Sequence, residues 1–246
     1  AGDYLCACRL LAPLVEQHPT VQRYLALYST ALRYAGQRDQ YRELCNYEQW
    51  VSEREIKTPQ GFADLAEFMA YLRNALKALH TTRHHPVQQS MVNGTQTLDD
   101  LLGRQEPAVT LLRGALSEQL RDVIAHLPSR AEHPLLGRNT GAMSFSDSWS
   151  VWLRRGGYHK NHYHTAGWLS SAFYVLVPDE VNGAERRGWL TLGEPGFLAR
   201  EPLGPECWVK PKEGYLVAFP SYFWHGTVAL HEAPKPITVG YDILPV

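Results

Sequence analysis

Apolar residues in the first half of the chain recur every three to four positions, which is the spacing of amphipathic helices. The segments are separated at His18-Pro19, Gly36 and Leu127-Pro128, where proline and glycine end helices. The pattern predicts helices over residues 4–17, 21–35, 40–51, 62–79 and 108–126.

The first three segments resemble one and a half tetratricopeptide units: two short helices joined by a proline turn, then Gly36 and a new first helix. Stacked repeats generally need about three units to be stable, so we expect these helices to pack on the part of the chain that follows them. A plain helical subdomain, unrelated to repeats, is the alternative. We predict a repeat-like segment over residues 1–56 and a connecting helix over residues 57–85.

After residue 140 the apolar pattern changes to a period of two, which is typical of half-buried strands. Gly156-Gly157 is a two-residue hairpin signal, and six of the seven tryptophans lie between Trp149 and Trp224. Helices followed by many short strands predict an α+β fold whose second half is a double-sheet jelly roll. Strands are predicted over residues 149–153, 158–164, 170–177, 189–192, 215–219 and 237–244.

Charge and composition exclude several classes of protein. The chain has 24 Lys and Arg against 25 Asp and Glu, so no basic excess points to a nucleic-acid partner. No apolar run approaches the roughly 20 residues that cross a bilayer, and the N-terminal residues lack the basic-then-apolar pattern of a secretory signal. Four cysteines without metal-site spacing predict reduced thiols. We therefore expect a globular cytoplasmic protein without a membrane partner.

The segment around His162 offers candidate metal ligands. Residues two apart in a strand face the same side, so His162 and His164 present both imidazoles to one surface, and His159 and Tyr163 face the other. His225, from a distant strand, completes a facial set around one metal and leaves the opposite positions open for substrate and oxidant. Imidazole suits iron, zinc, copper and nickel, so the ligand types leave the metal open.

These histidines lie in motifs similar to those of bacterial iron(II)/2-oxoglutarate oxygenases fused behind tetratricopeptide repeats. The first motif is Gly156-Gly-Tyr-His-Lys-Asn-His-Tyr-His164, and the second is Phe219-Pro-Ser-Tyr-Phe-Trp-His-Gly-Thr227. Further matching segments, in the family's order, are residues 88–97, 148–153, 167–178 and 188–195.

The resemblance implies a double-stranded β-helix over residues 86–246. His162 and His164 take the positions of the family's HxD or HxH pair, and His225 takes that of its distal histidine. The family's cofactor is Fe(II), and its cosubstrates are 2-oxoglutarate and O2. The reaction releases succinate and CO2, and its usual outcome is hydroxylation of a substrate C–H bond.

The expected cosubstrate site departs from the family pattern. Relatives have an arginine two residues before a serine or threonine, and that arginine clamps the distal carboxylate of 2-oxoglutarate; here Pro236 stands two residues before Thr238. A lysine nearby would neutralise the carboxylate as a point charge without the two-pronged geometry of guanidinium. The candidate cosubstrate-binding residues are Lys235, Arg154, Arg155 and Lys160 as cations, and Tyr174 and Thr238 as hydroxyl donors.

Two other functions stay open on the sequence. The three-histidine set and Pro236 favour a cupin-like dioxygenase that does not use 2-oxoglutarate; zinc hydrolysis is a weaker variant, because no carboxylate base accompanies the HxH pair. The non-enzyme alternative is an interaction scaffold that has lost catalysis.

Repeat-like helices beside an oxygenase favour a peptide or protein substrate, and the sequence leaves the oligomeric state open. A set of aromatic residues is placed to line a hydrophobic substrate pocket or to pack the sheets. Its members are Tyr163, Trp168, Trp189, Tyr222 and Trp224.

Overall fold

The computed structural model describes residues 2–81, 90–197, 201–231 and 236–246. Within these ranges the chain forms six α-helices and nine strands, with two short 3-10 turns. The helices are α1 (Tyr4–Gln17), α2 (Gln22–Tyr34), α3 (Arg38–Leu44), α4 (Tyr47–Trp50), α5 (Leu65–Leu79) and α6 (Pro107–Ala125). The strands are β1 (Ser52–Glu55), β2 (Met91–Gln96), β3 (Met143–His159), β4 (Leu169–Leu176), β5 (Leu190–Leu192), β6 (Cys207–Val209), β7 (Tyr215–Pro220), β8 (His225–Thr227) and β9 (Ile237–Pro245).

Every helix predicted from the apolar spacing is present, and one of them is divided in two. The predicted helix over residues 40–51 breaks at Cys45 and restarts as α4, because the Asn46 side chain accepts a hydrogen bond from the Gln49 N–H at 3.2 Å. A capping side chain of this kind satisfies a backbone donor that a helix start leaves open. The resemblance of α1 to α4 to tetratricopeptide units stays a prediction.

The strands form two antiparallel sheets. The larger has the order β1-β7-β4-β9-β3-β2, and the smaller has the order β6-β5-β8. Every strand pair in both sheets is antiparallel. Mixed helices and antiparallel sheets confirm the predicted α+β class.

The edge strand β1 was not expected from the sequence. It pairs with β7 from Ser52 opposite Ala218 to Glu55 opposite Tyr215. Its four residues, Ser-Glu-Arg-Glu, are all polar, so the strand has no apolar alternation to reveal it. Charged residues suit an edge strand, because they discourage pairing with other chains. Residues 1–56 thus contribute a strand to the large sheet, and the division of the chain at residues 56 and 85 stays a prediction.

The hairpin predicted at Gly156-Gly157 is wrong, because β3 runs through both glycines to His159. Gly94 of β2 lies opposite Leu153, and Val92 lies opposite Tyr158, so residues 154–157 face Asn93 alone. A Cβ at Gly157 would lie 2.7 Å from two backbone oxygens, and Gly156 has a φ of +72°. The two glycines therefore allow a bulge inside the strand, with the close backbone approach that only glycine permits.

One hydrophobic core joins the helices to the large sheet. Leu72 of α5 and Leu112 of α6 belong to the same buried cluster as Phe173 of β4 and Val239 of β9. The opposite face of the large sheet looks toward the small sheet and leaves a cavity between them. None of the described helices combines the length and the apolar character needed to cross a membrane.

Candidate metal centre and cosubstrate cavity

A cavity of 920 Å³ lies between the two sheets. Val151 and Leu153 of β3 and Thr238 of β9 line it from the large sheet, and Leu190 of β5 and His225 of β8 line it from the small sheet. Residues two apart share a face of a strand, so the period-two pattern selects the side chains that reach this space. The volume is in the range of sites that hold small-molecule ligands.

The backbone of the HxH segment is fixed to the turn between β7 and β8. His162 and His225 form an isolated antiparallel bridge, in which each backbone N–H donates to the other residue's carbonyl, at 2.9 and 2.8 Å. The backbone N–H of His164 donates to Ser221 O at 2.9 Å. These three hydrogen bonds bring together the three histidines predicted from spacing and resemblance.

Two of the three imidazoles are oriented by backbone carbonyls. His162 Nδ1 donates to Lys160 O at 2.8 Å, and His225 Nδ1 donates to Phe223 O at 2.9 Å. A carbonyl oxygen only accepts, so Nδ1 carries the proton in both rings, and Nε2 of the neutral ring presents a lone pair.

The third imidazole is oriented by a carboxylate. His164 Nδ1 lies 2.6 Å from Asp242 Oδ1, and Asp242 is buried in β9. Asp242 was missed as a site residue in the sequence analysis. The period of two along β9, from Thr238 through Gly240, was the signal that places it on the cavity face.

The free ring nitrogens converge on one point. His162 Nε2 and His164 Nε2 are 3.2 Å apart, and the ligand atoms of His162, His164 and His225 all lie within 4.8 Å of one another. Two lone pairs at this distance repel, and a cation bound by both nitrogens removes that repulsion. The donor set therefore fits a metal ion that accepts imidazole nitrogen, iron(II) among them.

Burial keeps the imidazoles of His162 and His225 neutral. It lowers the pKa of His162 to about 3, with the neighbouring His164 and His159 adding to the shift. Burial, followed by His162 and His164, also holds the pKa of His225 well below its usual value. Neutral imidazole is the form that ligates a metal, so His162 and His225 need no deprotonation near pH 7.

His159 lies on the cavity side, contrary to the prediction that it faces away from His162. Its ring stacks on that of His162 with centroids 6.2 Å apart, and its Nδ1 lies 3.2 Å from Ser90 Oγ. The regular strand ends at His159, so the alternation of faces does not extend across the segment that follows. Burial and the neighbouring His164 lower the pKa of His159 to about 4.

Two of the predicted cosubstrate-binding residues line the cavity as neighbours. Tyr174 of β4 pairs with Thr238 of β9, and both residues line the same cavity as the three histidines. The Tyr174 hydroxyl is buried and has no hydrogen-bond partner among the described residues. Burial raises its pKa, and the charge of Glu53 adds to that effect. An unpartnered buried hydroxyl is costly, so it fits a ligand that accepts a hydrogen bond there.

Of the predicted cationic residues that the structure describes, only one lines the cavity. Lys160 lines the cavity, whereas Arg154 and Arg155 are exposed and lie outside its lining. The Arg155 side chain donates to His231 O at 3.0 Å. Lys235 lies outside the described residues. Pro236, at the position expected for arginine, borders the cavity.

The aromatic set is mostly structural. Of its members, Tyr163 alone lines the cavity. The other four pack elsewhere, and each donates a hydrogen bond to a neighbouring segment. These are Trp168 to Leu135 O, Trp189 to Val181 O, Tyr222 to Leu44 O and Trp224 to Thr30 Oγ1.

The segment that contains these residues matches a known protein family. Residues 147–242 match the family described as "Putative 2OG-Fe(II) oxygenase", and the match includes all three converging histidines. The match covers 96 of the 246 residues, which is less than half of the chain. The match supports the activity of a 2-oxoglutarate- and Fe(II)-dependent dioxygenase, with Fe(II) as cofactor and 2-oxoglutarate as cosubstrate. Helices α1 to α6 lie outside the match.

No curated protein matches the chain. Among solved structures, a viral collagen prolyl hydroxylase from Paramecium Bursaria Chlorella virus-1 shares 17% identity, covering 80% of this chain and 97% of its own, at a TM-score of 0.49. A Pseudomonas putida prolyl-4-hydroxylase shares 17% identity with coverages of 80% and 95%, also at 0.49. HygX from Streptomyces hygroscopicus, with nickel and 2-oxoglutarate bound, shares 12% identity with coverages of 83% and 86%, at 0.49. These values are too low to assign a substrate.

Proposed function

We propose that the chain hydroxylates its substrate at an iron(II) centre held by His162, His164 and His225. The observation that supports this most directly is the convergence of one ring nitrogen from each of the three histidines within 4.8 Å, inside the cavity. Each ring also has its Nδ1 engaged with an oxygen, so all three lone pairs are available to one ion.

The role of the protein's residues is to hold the metal ion and to orient its ligands. When bound, iron(II) supplies the chemistry by which O2 and 2-oxoglutarate give succinate, CO2 and one oxygen atom placed in a substrate C–H bond. Phe219 packs on His225 with ring centroids 4.8 Å apart, and Trp149 lies 5.5 Å from His164. These aromatic contacts restrict the rings to one orientation and keep water from their inner sides.

The distal carboxylate of 2-oxoglutarate is assigned to the hydroxyls of Tyr174 and Thr238, and Lys160 supplies a positive charge to the same cavity. The support is the unpartnered hydroxyl of Tyr174, its pairing with Thr238, and the cavity position of Lys160. Hydroxyls and an ammonium lack the planar two-pronged geometry of guanidinium, so we expect weaker cosubstrate binding than an arginine provides.

The substrate is proposed to be a peptide or protein segment. The support is that the rim of the cavity contains exposed residues such as Leu98 and Thr165, so a chain larger than the cavity can reach the histidines from outside. Incubating the loaded enzyme with a cellular peptide mixture and searching by mass spectrometry for gain of one oxygen atom tests this. Oxidation confined to small metabolites would contradict it.

The proposed centre is tested by metal and cosubstrate binding together. Anaerobic addition of Fe(II) and 2-oxoglutarate should produce a charge-transfer absorption band, and admission of O2 should produce succinate. His225→Ala should lose stoichiometric iron and both signals. His126→Ala, which changes an exposed imidazole at the C-terminal end of α6, should retain them. Neither signal in wild-type protein with the iron site filled would contradict the proposal.

Pro236 and the all-imidazole ligand set favour a second candidate, a three-histidine dioxygenase that acts without 2-oxoglutarate. Oxygen consumption that is the same with and without added 2-oxoglutarate would support this candidate. Consumption that requires 2-oxoglutarate and forms succinate in equal amount would contradict it.

A further inference from the structure

The three proposed ligands are all neutral, yet a carboxylate lies directly behind one of them. A divalent ion held by three imidazoles receives no compensating charge from its ligands, whereas the common iron(II) set of two histidines and a carboxylate supplies one. Asp242 Oδ1 lies 2.6 Å from His164 Nδ1, and the Asp242 side chain is only 7% exposed. The negative charge is therefore one imidazole ring away from the proposed metal position.

The surroundings of Asp242 hold its carboxylate in this place. Ser170 Oγ lies 2.6 Å from Asp242 Oδ1 and 2.8 Å from Ser221 Oγ, so the hydroxyls form a chain that ends on the carboxylate. Gly167 crosses above this group: a Cβ there would lie 2.3 Å from Ser221 Oγ and 3.1 Å from Asp242 Cγ. The close approach of the backbone helps to bury the carboxylate beside His164.

We propose that Asp242 is a positioning residue that fixes His164 Nε2 on the metal and offsets part of the metal's charge through the His164 ring. A carboxylate that accepts from Nδ1–H fixes the ring tautomer and raises the basicity of Nε2. Little water reaches this buried pair, so the attraction between the carboxylate and a bound cation is weakly screened. This inference rests on the proposed ligand set, and it does not depend on which cosubstrate is used.

The other carboxylates that line the cavity form no recorded hydrogen bond to a proposed metal-binding histidine. Asp99, Asp100 and Asp147 also border the cavity, but they are exposed. Asp147 accepts from the backbone N–H of Ser148 at 2.9 Å, and Asp100 accepts from the Ser148 hydroxyl. Asp147 is therefore a matched control, a cavity carboxylate without a bond to a proposed ligand.

The first test is Asp242→Asn, which keeps the size of the side chain and an acceptor oxygen but removes the charge. Fe(II) affinity, measured anaerobically by competition with a chromogenic chelator, should fall about 10- to 100-fold, the usual effect of removing a residue that orients a metal ligand. Asp147→Asn should bind Fe(II) as the wild type does. Equal affinities for wild type and Asp242→Asn, or equal losses in the two variants, would overturn the proposal.

A spectroscopic measurement separates this role from a purely structural one. In the Co(II)-loaded protein, Asp242→Asn should shift the visible absorption bands and the exchangeable Nδ1–H resonance of His164, and Asp147→Asn should leave both in place. The double variant His164→Asp with Asp242→Asn, which moves the carboxylate onto the metal, should recover most of the lost Fe(II) affinity. Unchanged spectra in Asp242→Asn would overturn the proposal.

A second variant applies if Asp242→Asn does not fold. Ser170→Ala removes the hydroxyl that holds the carboxylate and should lower Fe(II) affinity several-fold; wild-type affinity in that variant would overturn the proposal.

The results also distinguish failure of the proposed metal centre from failure of the proposed role of Asp242. Wild-type protein that binds no Fe(II) contradicts the three-histidine centre, whereas wild-type binding that Asp242→Asn leaves unchanged contradicts the role of Asp242 alone.

Discussion

Burial holds two side chains outside the metal centre, Tyr174 and His80, in their neutral forms. Tyr174 faces the cavity with an unpartnered hydroxyl. His80, at the end of α5, lies between Thr95 Oγ1 at 2.9 Å and Ser150 Oγ at 3.1 Å on the outer side of β2 and β3. One is suited to bind a ligand and the other to support the fold, so substitutions at the two positions should have different readouts.

Tyr174→Phe should raise the KM for 2-oxoglutarate about tenfold, because the variant removes the hydroxyl that we propose as a donor to the distal carboxylate. Succinate formation at varied 2-oxoglutarate measures this. The control is Tyr241→Phe, which removes a buried hydroxyl that accepts from Ser171 Oγ at 2.9 Å; Tyr241 itself does not line the cavity. It should leave the KM unchanged. An unchanged KM in Tyr174→Phe would remove this tyrosine from the cosubstrate site.

His80 should make the fold sensitive to acid. Burial lowers its pKa to about 4, below the value of about 6.5 expected in the unfolded chain. The unfolded chain therefore binds the proton first, and the stability from neutral His80 is present above pH 6.5 and lost as the pH falls toward 4.

His80→Gln should consequently show a smaller loss of unfolding free energy between pH 6.5 and pH 4.5 than the wild type, as measured by urea denaturation of the metal-free protein. His18→Gln, which alters an exposed histidine, should follow the wild-type pH dependence. A His80→Gln curve parallel to that of the wild type would contradict the assignment.

At the scale of elements, the bulge in β3 connects the large sheet to the metal centre. Gly156 N–H donates to Leu230 O at 2.7 Å, and Leu230 N–H donates to Gly157 O at 3.2 Å, so the bulge binds the chain that follows β8. His159 and the HxH segment come directly after it. The bulge thus sets where the strand ends and where the histidines begin.

Gly157→Ala should lower the free energy of unfolding by about 1–3 kcal/mol, because its Cβ would lie 2.7 Å from Arg154 O and Asn93 O and neither backbone segment moves freely. Denaturant unfolding measures this change. Gly204→Ala, at a position with no neighbouring atom within 4 Å of the new Cβ, should stay within about 0.5 kcal/mol of the wild type. Equal stabilities for the two variants would contradict the role of the bulge.

At the scale of the whole molecule, the helices support the turn that contains His225. Tyr222 OH donates to Leu44 O at 2.6 Å, and Trp224 Nε1 donates to Thr30 Oγ1 at 3.0 Å. These two residues precede His225 in the turn between β7 and β8, so α2 and α3 hold that turn from outside. The helices and residues 147–242 are therefore parts of one packed unit.

The metal-free protein should unfold in one cooperative transition, since the same buried cluster includes helical and strand residues. Differential scanning calorimetry should give a calorimetric enthalpy equal to the van't Hoff enthalpy. Near- and far-ultraviolet circular dichroism should report the same midpoint. Two separate transitions would contradict a shared core and would indicate that α1 to α4 fold on their own.

Local pattern was sufficient for the parts of the fold that depend on neighbours in sequence. Apolar spacing predicted the positions of α1, α2, α5 and α6 and of most strands, because periodicity reflects which face of an element is buried. The HxH spacing and the motif around His225 predicted the three histidines that the fold brings together. Resemblance to the oxygenase family predicted the activity and cofactors of residues 147–242.

The tertiary structure decided what depends on a distant partner. β1 exists because β7 offers an open edge, and the two glycines of β3 form a bulge because β2 supplies one residue opposite four. Asp242 and His164 lie 78 residues apart in sequence, and they meet only in the folded chain. Hydrogen bonds between residues so far apart in sequence leave no local periodicity. The sequence alone therefore identified the three histidines, whereas only the tertiary structure placed the Asp242 carboxylate beside His164.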